Sequence, residues 1–120
     1  MIRAKSFWRT TCVLTVLVVT SGCAVRVMAA GDIGGSADED RPVADQIIGL
    51  NPGFVLIPGD VVYPDGQPSG YTTFFDQTWG RFKSKIIATP GNHDYHTANG
   101  AGFYAYFNQP EYFGKDLGLG

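Results

Sequence analysis

The sequence predicts an α/β fold of order β-α-β-α-β around a parallel sheet, and three observations carry that prediction. Apolar runs recur at 24–30, 54–57 and 85–88, each of strand length. Between them lie two stretches whose apolar residues fall at helical spacing. Each strand run closes on a glycine followed by polar side chains, as Gly31-Asp32, Gly59-Asp60 and Gly91-Asn92-His93-Asp94.

The 120 residues allow one small domain. Residues 1–22 read as an export signal. Arg3, Lys5 and Arg9 make a positive start, 12–19 an apolar core broken only by Thr15, and Thr20-Ser21-Gly22 a small-residue cleavage position. The apolar run is shorter than the roughly 20 residues a spanning helix needs. An uncleaved N-terminal anchor is the alternative. Ser21-Gly22-Cys23 also resembles the lipobox of bacterial lipoproteins, which makes Cys23 a lipidation candidate and a possible membrane attachment. Thr20 stands where that motif usually has an aliphatic residue, and Cys23 near an ordinary cleavage site is the equal alternative. The chain from 23 to 120 is then the domain proper, and its localisation is secreted, periplasmic or lipid-anchored.

From Cys23 onward six basic residues face eleven acidic ones, a balance of −5. No basic surface for nucleic acid is expected. The two cysteines, Cys12 and Cys23, both fall in or at the edge of the leader, so the mature part has no internal disulfide.

The first strand is 24–30 (AVRVMAA), closed by Gly31-Asp32. Ser36 and Glu39 have capping-box spacing, but a helix starting there would hold Pro42 in its interior, where it removes a hydrogen bond. The expected start is therefore near Asp40. Val43, Ala44, Ile47 and Ile48 share one face, and Gly49 with Asn51-Pro52-Gly53 ends the helix. The continuous run 54–57 (FVLI) reads as a strand buried on both faces. Asp65-Gly66 and Pro68-Ser69-Gly70 mark a loop. Phe74, Phe75, Thr78, Trp79 and Phe82 then define a second amphipathic helix over 71–82, and 85–88 is the third strand. Beyond His93 the chain is rich in Gly, Asn and aromatics, without a clear fourth strand.

In parallel α/β sheets ligands bind beyond the carboxyl ends of the strands. Asp32, Asp60, Asn92 and His93 all stand at such ends. Two aspartates, an amide, a phenol and one or two imidazoles can begin a two-metal site. Metals about 3.5–4 Å apart can hold a hydroxide between them as nucleophile, a design suited to phosphoryl transfer. Each residue also has a plainer reading. Gly-Asp is a common turn pair, Tyr63 can simply pack its ring, His96 reads as a surface loop residue, and the aromatics over 103–107 read as core or lid.

The ordered set Gly-Asp-x-Gly, Gly-Asp-x-x-Tyr, Gly-Asn-His-Asp resembles the calcineurin-like metallophosphoesterases, and within them the purple acid phosphatase branch. Gly34 stands where the wider superfamily has histidine, and Tyr63 follows the second aspartate by three; both features point to that branch. The resemblance runs from about residue 25 to 107. It implies the first half of a layered α/β sandwich and an acid phosphatase-like hydrolase acting on phosphate esters, to which the leader read over 1–22 adds export.

It also implies residue roles and two metal ions, iron paired with iron, zinc or manganese. Asp32 and Tyr63 would bind the first metal, Asp60 would bridge both, and Asn92 would bind the second. His93 would face the substrate and assist the leaving group, and Asp94 would orient it. The family's later motifs, Val-x-x-His and Gly-His-x-His, do not occur here; His93 and His96 are the only histidines. The chain thus reads as a truncated member. The alternative is a non-catalytic exported or lipid-anchored remnant binding metal or phosphate weakly or not at all. A nucleotide-binding module is disfavoured, since Gly31-Asp32-Ile33-Gly34-Gly35 is not a Gly-x-Gly-x-x-Gly turn and its aspartate would repel pyrophosphate.

Overall fold

The computed structural model describes residues 14–20 and 23–108, with side chains from residue 24. Arg3, Lys5, Arg9, Ser21, Gly22 and the aromatics Tyr112 and Phe113 lie outside the described residues, as does the Cys23 side chain. Four strands form one sheet in sequence order: β1 (Leu14–Thr20), β2 (Cys23–Ala29), β3 (Phe54–Pro58) and β4 (Ile86–Thr89). The last three are parallel, with Met28 opposite Val55 and Leu56 opposite Ile87. This is the predicted β-α-β-α-β core.

β1 is an addition. It pairs antiparallel with β2 along its whole length, from Leu14 opposite Ala29 to Thr20 opposite Cys23. It uses the apolar run that also reads as the core of a leader, so cleavage before Cys23 would remove the strand entire. No described helix is long and apolar enough to cross a membrane.

The helix after β2, α1, spans Ala37–Leu50, three residues earlier than expected. Ser36 is its N-cap, with the Oγ accepting from Glu39 N at 3.3 Å, and Pro42 lies inside. One missing amide so near the start costs a single bond. The cap, and Asp38 and Glu39 at the positive helix end, offset it. Asn51, in the left-handed region at φ 44°, closes the helix.

The expected second helix is three short pieces. A helical turn at Pro68–Gly70 leads into a wide turn over Tyr71–Phe75, where Asp76 N donates to Tyr71 O at 2.9 Å, and a tighter segment follows at Trp79–Lys85. The break is at Thr78 (φ −116°, ψ −85°), whose hydroxyl donates to Phe74 O. In an α-helix, residues four apart drift by about 40° around the axis. The wide turn takes up part of that drift, which lets Tyr71, Phe75 and Trp79 all face the core, each fully buried.

That core covers one face of the sheet. Met28, Ala30, Val55, Ile57, Ile86 and Ala88 meet Ala44 and Ile47 of α1, the Tyr71–Trp79 segment and Phe103. Burying each large side chain contributes about 1.5–3 kcal/mol. β3 is not buried on both faces as expected: Leu56 is 38% exposed, and burial alternates along the strand. The described helices pack on one side, so alternate side chains of the apolar run face outward. The aromatics over 103–107 form a short helix, Ala101–Phe107, with Phe103 in the core.

Candidate functional site

The site forms where the carboxyl ends of the parallel strands meet. Behind β2 and β3 the chain turns through left-handed residues, Asp32 at φ 55° and Asp60 at φ 48°. Aspartate is one of the few side chains that tolerates this region, because its short carboxylate can bond locally. The loop after β4 presses against the second aspartate. A Cβ on Gly91 would overlap Asp60 N and Oδ1, so glycine alone allows that approach.

Three oxygens converge. Tyr63 Oη lies 2.7 Å from Asp32 Oδ1 and 3.0 Å from Asp60 Oδ2. The hydroxyl has one proton to donate, shared between two carboxylates. Burial first, then those two hydrogen bonds and charges, hold the Tyr63 phenol far above its ordinary pKa. Asp60 is gripped from its other oxygen as well, since His93 N donates to Oδ1 at 2.9 Å.

His93 Nδ1 lies 2.7 Å from the carbonyl oxygen of Pro64, and its ring sits 4.2 Å from that of Tyr63. The expected pairing of His93 with Asp94 is not what the structure contains. Asp94 is fully buried and turned inward. Its Oδ2 accepts from Val61 N (3.0 Å) and Gly91 N (2.9 Å), and its Oδ1 from Val62 N (3.2 Å) and Tyr71 Oη (2.6 Å). A carboxylate saturated by four donors is spent on joining the two loops. It places His93 through the backbone, and Pro64 sets the ring. Burial, then the Asp94 bond, raises the Tyr71 phenol strongly.

Asn92 is exposed beside this group. Tyr71 and Pro64 were not legible as site residues: a distant phenol and a main-chain carbonyl leave no local sequence signal. A cavity of about 260 Å³ between Ile47, Pro52, Phe82 and Lys85 lies at the amino ends of β3 and β4, away from the site.

The donor chemistry of Asp32, Asp60 and Tyr63 fits a hard cation, which takes carboxylate and phenolate oxygen. These oxygens already crowd one proton, where a cation would relieve far more repulsion. Among the described residues no group of three or more His, Cys, Asp or Glu side chains is placed to hold a metal ion by itself. The set is therefore oxygen-rich and lacks the nitrogen ligands that the resemblance implies.

The sequence model of the calcineurin-like phosphoesterases matches residues 25–118. The chain belongs to the calcineurin-like phosphoesterase family. The match starts within β2 and takes in Asp32, Asp60, Tyr63, Asn92, His93 and Asp94. This family consists of metal-dependent phosphoesterases, hydrolases as a class, and the parallel sheet with its helices is consistent with half of such a fold. No curated protein and no solved structure matches the chain.

Proposed function

We propose that the protein is an exported phosphoesterase of the purple acid phosphatase type, hydrolysing phosphate esters with two metal ions. The observation that carries this reading is the convergence of Asp32, Tyr63 and Asp60 within hydrogen-bond distance, with His93 fixed against them. Asp32 and Tyr63 would hold one ion, Asp60 both, and Asn92 would contribute to the second. When bound, the ions supply charge stabilisation and an activated water.

The chain's own residues do the rest. Asp60 is oriented by accepting from Tyr63 on one oxygen and from the His93 amide on the other. The Pro64 carbonyl holds the proton on His93 Nδ1 and leaves Nε2 to face an ester oxygen. A ring protonated there can pass its proton to the leaving alkoxide. Export follows from the positive, then apolar, then small-residue pattern of 1–22, and Cys23 is the candidate for lipidation.

The test is hydrolysis of p-nitrophenyl phosphate by the chain after loading with iron and zinc. Metal-dependent turnover that disappears in Asp60→Asn and His93→Ala supports the reading. Turnover indifferent to Asp60→Asn contradicts it. A second reading, a non-catalytic relative that binds metal weakly, is favoured by the lack of a three-residue His, Cys, Asp or Glu group among the described residues. Metal uptake without any turnover would select it.

A further inference from the structure

The chain has two histidines, and both come to one carbonyl oxygen. His93 Nδ1 lies 2.7 Å from Pro64 O and His96 Nδ1 lies 3.3 Å from the same atom, with the rings 4.9 Å apart. The cause is local. Residues Asp94–His96 form a tight turn in which His96 N donates to His93 O, and in such a turn side chains three apart stack over one another. The Pro64 strap is fastened from the other side, where Thr97 Oγ1 donates to Asp65 O at 2.7 Å.

A carbonyl oxygen only accepts, and it has two lone pairs. Both imidazoles must therefore carry a proton on Nδ1. This fixes one tautomer for both rings and leaves each Nε2 as the nitrogen for a ligand. We propose that His96 is a second phosphate-contacting imidazole, paired with His93 through Pro64, and that the two bind the phosphoryl oxygens or leaving group of a phosphate ester. His96 is exposed, as a group meeting substrate must be, yet held as a solvated loop residue need not be. This inference rests on the phosphoesterase reading of the site.

Three substitutions separate contact from scaffolding. His96→Asn keeps a donor at the Nδ1 position and loses the far nitrogen. His96→Gln reaches the far position and gives up the Pro64 bond. His96→Ala loses both. The full chain, with and without Zn²⁺, is titrated with inorganic phosphate while the imidazole ¹⁵N resonances are followed.

The expected result is that both Nε2 signals move on one saturation curve. A hydrogen bond to a charged group governs the size of the effect, so affinity should fall about tenfold in His96→Ala and His96→Asn and be largely restored in His96→Gln. A shift at His93 alone, or full affinity in His96→Asn, overturns the inference and leaves the phosphoesterase reading standing. Silence at both rings, with and without Zn²⁺, removes both.

Discussion

At the scale of single residues, Asp94 is bonded differently from the side-chain pairing with His93 that its place in the motif predicts. Its place after Asn92-His93 marks it, and the structure gives it a buried carboxylate with four donors. Asp94→Asn would turn an amide NH₂ toward donors that need an acceptor. The expected cost is about 2–4 kcal/mol, read as a lower urea midpoint. Tyr71→Phe removes one donor of the four and should cost about 1–2 kcal/mol in the same measurement. Asp32, Asp60, Tyr63 and His93 were legible because strand ends in a parallel sheet meet at one edge. The inward turn of Asp94 was not, since its partners Val61, Val62 and Tyr71 lie 23 to 33 residues away.

At the scale of elements, α1 carries a buried carboxyl with a pH signature. Asp40 is 8% exposed, and its pKa is raised from 3.8 to about 6, first by burial and then, against the backbone bond from Gly34, by the neighbouring Glu39 charge. The Trp79 indole favours the charge slightly, yet Asp40 Oδ2 and Trp79 Nε1 close no hydrogen bond of ordinary geometry. A folded-state pKa above the unfolded one means that the protonated group favours folding. Its contribution is complete below about pH 4 and is lost as pH rises through 6. At neutral pH the charged group costs about 3 kcal/mol. Asp40→Asn should therefore raise the melting temperature at pH 7.5 and give little gain at pH 4, flattening the profile between. The Pro42 rule placed the start of this helix too late, because one absent amide near an end is cheaper than a forfeited cap. The second helix was misjudged at Thr78, where a buried hydroxyl bonds back to Phe74 O and the spacing alone cannot show the break.

At the scale of the whole molecule, the parallel strands and their order were legible from apolar runs closed by glycine. The one-sided burial of β3 was not, because an apolar run does not say how many layers cover it. With Leu56 outward and β4 at the sheet edge, the described fold presents apolar surface and unpaired backbone, so low solubility is expected in light-scattering measurements. Leu14–Thr20 is β1 in the structure and the apolar core of the proposed leader. Amino-terminal sequencing of the exported product should begin at or near Cys23, and the chain 23–120 should keep the circular dichroism of β2, β3, β4 and α1. A product retaining Leu14–Thr20 would assign that segment to the sheet and contradict cleavage.

In the proposed function Asp32, Asp60 and Tyr63 hold a metal ion, and visible spectroscopy of the iron-loaded chain reads that binding at the tyrosine itself. A phenolate bound to ferric iron absorbs visible light, so the wild-type chain should take up iron and show a charge-transfer band. Tyr63→Phe should bind iron without the band, and Asp60→Asn should lose much of the uptake. A colourless iron-loaded wild type, or a band that persists in Tyr63→Phe, would contradict the account.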